Sequence, residues 1–172
     1  MHNPVYPKAY SVLASVLLLA TILTPDTAWP QGFSAAPEAA CDFMREDGLR
    51  TRGGYRANGS VYQCRSRRHN LISGGRLVNT IRFLARGDAD KVTQLNLELQ
   101  VNSGTAIQRA HRNLAEHAAT LFETALREPL PADIEAAILS GVRGSWDVSG
   151  KSVTLERIVL SGPGYELRLR IE

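Results

Sequence analysis

Lys91-Val-Thr-Gln-Leu-Asn-Leu-Glu-Leu-Gln-Val-Asn102, then Ser103, then Gly104 to Arg127, is where the hydrophobic period of this chain changes. In the first segment Leu95, Leu97, Leu99 and Val101 alternate with Gln94, Asn96, Glu98 and Gln100. A period of two with one apolar and one polar side is the pattern of a half-buried antiparallel strand. After Ser103, a candidate N-cap, Ile107, Ala110, Leu114, Ala118, Leu121 and Ala125 recur at three- and four-residue steps, and Phe122 and Leu126 widen the stripe. That is an amphipathic helix, stopped by Pro129 and Pro131. The expected core is therefore the leucine face of the strand against Ile107, Leu114, Leu121 and Phe122.

The same reading extends both ways. Upstream, Leu77, Asn79, Ile81, Phe83 and Ala85 alternate within Arg76 to Arg86, and Gly87-Asp-Ala-Asp90 is a turn. Tyr55–Ala57 and Ser60–Cys64 flank Asn58-Gly59, a strong hairpin signal. A short helix is expected from Glu38 to Asp47, with Gly48 at its C′ position. Downstream come a helix over Ala132–Ser140 ending at Gly141, then strands over Ser145–Val148, Ser152–Leu160 and Tyr165–Ile171. The order α-ββββ-αα-βββ predicts an α+β two-layer sandwich: an antiparallel sheet with one long and two short helices on one face.

The chain opens with Lys8 and an apolar run from Ser11 to Leu23, closed by Pro25. A positive residue before such a run is the layout of a secretory signal. Signal peptidase wants small residues at −3 and −1. A cut after Ala28 puts Asp26 at −3, whereas a cut after Ala36 has Ser34 and Ala36 but lies far from the apolar run. The alternative is an uncleaved anchor over residues 9–24, short against the roughly 20 residues that cross a bilayer. The organisation read from sequence is thus a signal or anchor over 1–25, a linker over 26–37 and one globular domain over 38–172. Export places the domain in the bacterial periplasm, or at the inner membrane facing it, with secretion as the alternative. It also makes Cys41 and Cys64 a disulfide pair, since these are the two cysteines of the chain.

Charge is uneven. From Cys41 to Arg86 ten arginines face three acids, a balance of +7; from Gly87 to Glu172 nine basic residues face twelve acids, a balance of −3. The densest point is Arg65, Arg67, Arg68 and His69, read as a solvated loop beside the disulfide. Guanidinium groups held in place bind carboxylate or phosphate through paired N–H groups, so these four residues form a candidate site for an anionic partner.

Other motifs point to no chemistry. His111 and His117 lie six apart, about 120° around a helix, so they do not meet one ion and read as surface or boundary residues. Asp88 and Asp90 lack the further ligands of a calcium loop. There is no C-x-x-C and no G-x-S-x-G, and the glycine pairs are too sparse to cradle phosphate. Asn58-Gly-Ser60 matches a glycosylation sequon, but its turn role accounts for it. No catalytic residue, cofactor, metal or nucleic-acid partner is expected. The expected role is that of a non-enzymatic envelope accessory protein binding a protein partner or an anionic envelope component. The alternative is a binder of a small anionic or apolar ligand in a cleft between helix and sheet.

Overall fold

The computed structural model describes residues 33–71, 77–102, 104–162 and 164–172. The export segment, the anchor alternative, the cut after Ala28 and the Ser103 cap lie outside them. Among the described residues no helix is long and apolar enough to cross a membrane.

The chain folds as α1 (Pro37–Cys41), β1 (Thr51–Asn58), β2 (Val61–Ser66), β3 (His69–Leu71), β4 (Asn79–Gly87), β5 (Val92–Val101), α2 (Ile107–Ala125), α3 (Ala132–Ser140), β6 (Gly144–Val148), β7 (Lys151–Val159) and β8 (Tyr165–Ile171). A single 3-10 turn, Gly104–Ala106, leads into α2. All strand pairs are antiparallel in the order β1-β2-β4-β5-β8-β7-β6, with β3 also on β4. This is the α+β architecture read from the sequence, with β5 at the centre of the sheet. Leu95, Leu97 and Leu99 of β5, Ile81, Phe83 and Ala85 of β4, and Leu167, Leu169 and Ile171 of β8 are fully buried. Their cover is α2, which lies against β5 and buries Leu114, Ala118, Leu121 and Phe122; Ile107, expected in this core, is partly buried.

α3 ends at Gly141, and Gly48 closes the run of turns that follows α1. Gly48 (φ +80°) and Gly141 (φ +67°) take the left-handed conformation. Around Gly48, the Gly48 N–H bonds Arg45 O and the Leu49 N–H bonds Met44 O; around Gly141, the Gly141 N–H bonds Ile138 O and the Val142 N–H bonds Ala137 O. These are paired C-terminal caps with glycine where a side chain would be strained. The first helix is shorter than its pattern, because after Cys41 the chain continues in tighter turns to Gly48.

Three expectations are corrected. The Arg65–Gly75 region is not wholly a loop: Arg65 and Ser66 end β2, and His69–Leu71 form the extra strand β3. β1 begins at Thr51 rather than Tyr55, because Gly53 and Gly54, which read as a break, form a bulge inside the strand. The hairpin loop is Gly59–Ser60, one residue later than Asn58-Gly59, with Gly59 at φ +66°.

Cys41 and Cys64 are bonded, with their Cα atoms 5.9 Å apart. The bridge fastens α1 to β2 near the sheet edge, where the helix alone has little area to bury. Phe33 also packs into the core: its N–H bonds Val92 O at 3.0 Å and the Lys151 ammonium lies 4.8 Å from its ring centroid. Burial lowers the Lys151 pKa.

Two outcomes follow. Leu97→Ala removes a fully buried side chain from the central strand and should cost about 2–5 kcal/mol in chemical denaturation; a change below about 0.5 kcal/mol would place this face outside the core. Replacing both cysteines with alanine frees a loop with a sequence separation of 23. Loop-closure entropy then predicts a loss of roughly 3–4 kcal/mol, read as a lower denaturant midpoint.

Candidate functional site

Among the described residues, the face of the sheet away from α2 has no second layer of helices or strands. Its central residues are nonetheless buried: Glu98 is 3% and Asn96 2% exposed. Arginine stems do the covering. Across the strands Arg82 pairs with Glu98, Glu98 with Arg168, and Arg168 with Glu156. Arg82 Nε donates to Glu98 Oε2, and Arg168 Nε lies 3.5 Å from Glu98 Oε1. Glu166 accepts from Arg168 Nη2 at 2.7 Å and from Arg68 Nη2 at 3.1 Å, and the same Arg68 nitrogen is 3.8 Å from Glu98. Opposite charges alternate in register, so each buried carboxylate meets more than one guanidinium.

Towards β1 the acids stop. Two bulges shape this end of the sheet. Between Arg65↔Leu84 and His69↔Ile81 the β2–β3 segment advances four residues while β4 advances three. The Ser66 hydroxyl fills the gap, accepting the Phe83 N–H at 2.9 Å and donating to Arg67 O. An extra residue of this kind bends the strand and redirects its side chains, here Arg67 and Arg68. In β1 the chain advances four residues between Arg52 and Arg56 while β2 advances two. Gly53 must be glycine, because φ is +80° and a Cβ would lie 3.1 Å from the Arg56 guanidinium carbon. Tyr55, past the bulge, donates its hydroxyl to Lys91 O; burial first, then Asp88 and Glu38, push its pKa up to about 12.

The result is two adjoining grooves. One, of about 720 Å³, is lined by Arg52, Arg56, Arg65, Arg67, Arg68 and Arg82 among its walls; the other, of about 500 Å³, by Arg50, Arg52, Arg67, Arg68 and His69. Neither wall includes an acid. Arg52 stands directly opposite Arg65. Like charges so placed repel. Among the described residues Arg52, Arg56, Arg65 and Arg67 have no ion pair, whereas Arg68 and Arg82 do. All four arginines without an ion pair are exposed.

The residues read from sequence thus divide. Arg65 and Arg67 face the grooves without a carboxylate partner. Arg68 lines both grooves but is tied to Glu166 and Glu98, so it is not the solvated loop side chain expected. His69 sits on β3 at the second groove. Arg50, Arg52 and Arg56 were missed: Arg56 lay in the expected strand Tyr55–Ala57, and no local feature joins these three to the run at Arg65.

His111 is also corrected: it is buried at 2% exposure, not a surface residue. Its Nδ1 lies 3.0 Å from Leu139 O and its Nε2 2.7 Å from Tyr165 Oη. A carbonyl only accepts, so Nδ1 carries the hydrogen, and in the neutral ring Nε2 accepts from the tyrosine. Arg157 stacks 3.7 Å from the Tyr165 ring centroid. Burial raises the Tyr165 pKa, against the opposing pull of Arg157. The imidazole ties α2 to the end of α3 and to β8, a structural role. His117 bonds Asn113 O on its own helix.

Comparison of the chain with protein-family models, with curated proteins and with solved structures finds no match. The arrangement therefore rests on its own chemistry: an acid-free arginine groove can hold an anion.

The division among the arginines is measurable. Arg68→Ser leaves the buried Glu166 short of a charge-assisted hydrogen bond and should cost about 1–3 kcal/mol. Arg67→Ser, at the adjacent but exposed position, should stay within about 0.5 kcal/mol. Denaturant midpoints at unchanged slope give both values.

Proposed function

We propose that this chain is an exported, non-enzymatic protein of the bacterial envelope that binds an anionic partner through the arginine end of its sheet. The observation that carries the reading is the Arg52/Arg65 pair, with Arg56 and Arg67, around grooves that contain no acid. Such an arrangement raises the energy of the empty protein and is relieved by a bound anion. The opening apolar run supports export, and the disulfide is consistent with an oxidising compartment. In this reading a signal cut after Ala28 keeps Phe33 in the core, whereas a cut after Ala36 removes it.

A second reading, a small apolar ligand, has one observation in its favour. A groove of about 570 Å³ runs between α2 and α3, walled in part by Ala115, Ala119, Leu130 and Leu139. It lies between helices rather than between helix and sheet, where Leu97, Leu114, Leu121 and Phe122 are fully buried in one core.

The test of the leading reading is binding to vesicles and to a carboxylate polymer such as polyglutamate, in low and high salt. Binding should be lost on neutral vesicles and weaken as salt shortens the screening length to below about 8 Å. Replacing Arg52, Arg65 and Arg67 with serine should abolish binding to whichever anion is held, with stability changed by less than about 1 kcal/mol. Arg68 is left intact because of its structural pairing. Equal binding by the triple variant, or none by the parent, would reject the reading.

A further inference from the structure

We infer that the arginine groove is built for a phosphomonoester, a dianionic phosphoryl group, rather than for a carboxylate or a phosphodiester. This rests on the anion-binding reading above and names its ligand chemistry. A carboxylate offers one charge and two oxygens in a plane, which one guanidinium fork satisfies. The groove presents more than that. Arg65 and Arg52 reach it from adjacent strands, directly opposite each other and therefore with Cβ atoms about 5 Å apart. Arg67 reaches it from the β2–β3 bulge, and Arg56 from the far side of the Gly53-Gly54 bulge. Four guanidiniums without carboxylate partners thus converge from three segments of backbone. Their combined demand is for a ligand with about two negative charges and oxygens pointing in more than one direction. A phosphomonoester carries roughly −1.5 to −2 at neutral pH and three acceptor oxygens set tetrahedrally. A phosphodiester carries one charge and two such oxygens, and leaves part of the cluster uncompensated.

The surrounding structure fits a fixed receptor. The walls are mainly strand residues of β1, β2 and β4, with Arg67 and Arg68 on the two-residue link between β2 and β3. Ser66 locks one bulge to the Phe83 N–H, and the Tyr55 hydroxyl, bonded to Lys91 O, holds the chain after the other. Arg68 stands at the boundary, paired to Glu166 through Nη2 while its buried Nη1 makes no hydrogen bond. Arg68 and Arg82 are taken up by the glutamates of the sheet centre, together with Arg168, and the charge left in the groove is that of Arg52, Arg56, Arg65 and Arg67.

A phosphomonoester can come from a lipid headgroup or from a soluble molecule, and the two are separable. The full chain is mixed with vesicles containing phosphatidic acid or phosphatidylglycerol, matched for surface charge, and separately with glycerol 3-phosphate, dimethyl phosphate and acetate. The expected result is at least about ten-fold tighter binding to the monoester than to the diester, from the extra charge-assisted hydrogen bonds. Glycerol 3-phosphate that binds by itself and displaces the protein from vesicles marks a soluble ligand. Preference seen only on vesicles marks a headgroup. Arg52→Ser with Arg65→Ser should erase the preference, while Arg109→Ser with Arg143→Ser, the same charge change on other elements, should keep it. Equal binding to monoester and diester at matched charge overturns the inference and leaves the general anion reading standing. Binding to polyglutamate without phosphate discrimination does the same, and binding to no anion removes both.

Discussion

An eight-stranded sheet with helices on only one side must make its other face stable without a second layer, and here the Glu98 carboxylate is the point on which that depends. It sits on the central strand between Arg82 and Arg168, with Arg68 reaching over from the edge. Glu98 is almost wholly desolvated, and the guanidinium side chains around it keep 29%, 27% and 28% of their surface in water. Desolvating a lone carboxylate costs several kcal/mol, and the alternation of charge in register offsets that cost. Long arginine side chains then do for the open face what a helix layer does for the other: they cover backbone and apolar surface while about a quarter of each stays in water.

That solution uses arginine structurally, which changes what an arginine excess means. The first half of the chain carries +7, yet part of it neutralises acids contributed by β5 and β8 from the second half. Arg68 and Glu166 are 98 residues apart in sequence. What remains after these pairings is a smaller group at one end of the sheet. It is confined to β1, the end of β2 and the bulge that follows, where no acid shares the surface of the grooves.

How far the sequence could be read follows from where its information is local. β5, α2, α3 and the last three strands were readable because their periods are regular and their ends carry glycine or proline. The disulfide was readable because a chain with two cysteines leaves one pairing. β1 and β3 were not. A Gly53-Gly54 pair signals a break by propensity, and only pairing with β2 turns it into a bulge. Three residues of β3 carry a single buried side chain, Leu71, which gives no period to detect. His111 was misread for a similar reason: its burial comes from Leu139 and Tyr165, neither of which lies nearby in sequence.

The candidate site shows the same limit more sharply. Arg65, Arg67, Arg68 and His69 were found as a run, and a run is a local feature. Whether each member is available to a ligand depends on partners across the sheet. Arg68 is claimed by Glu166, while Arg65 faces another arginine. Arg52 and Arg56 are four residues apart and share a face with or without the glycine bulge, which shortens their separation to two residues of β2 and sets Arg56 opposite Gln63. Of the two irregularities, only the one at Ser66 changes which residues share a face: Arg65 and Arg68, three apart, both stand on the open side of the sheet, where Arg68 meets Glu166 and Arg65 stays without a carboxylate.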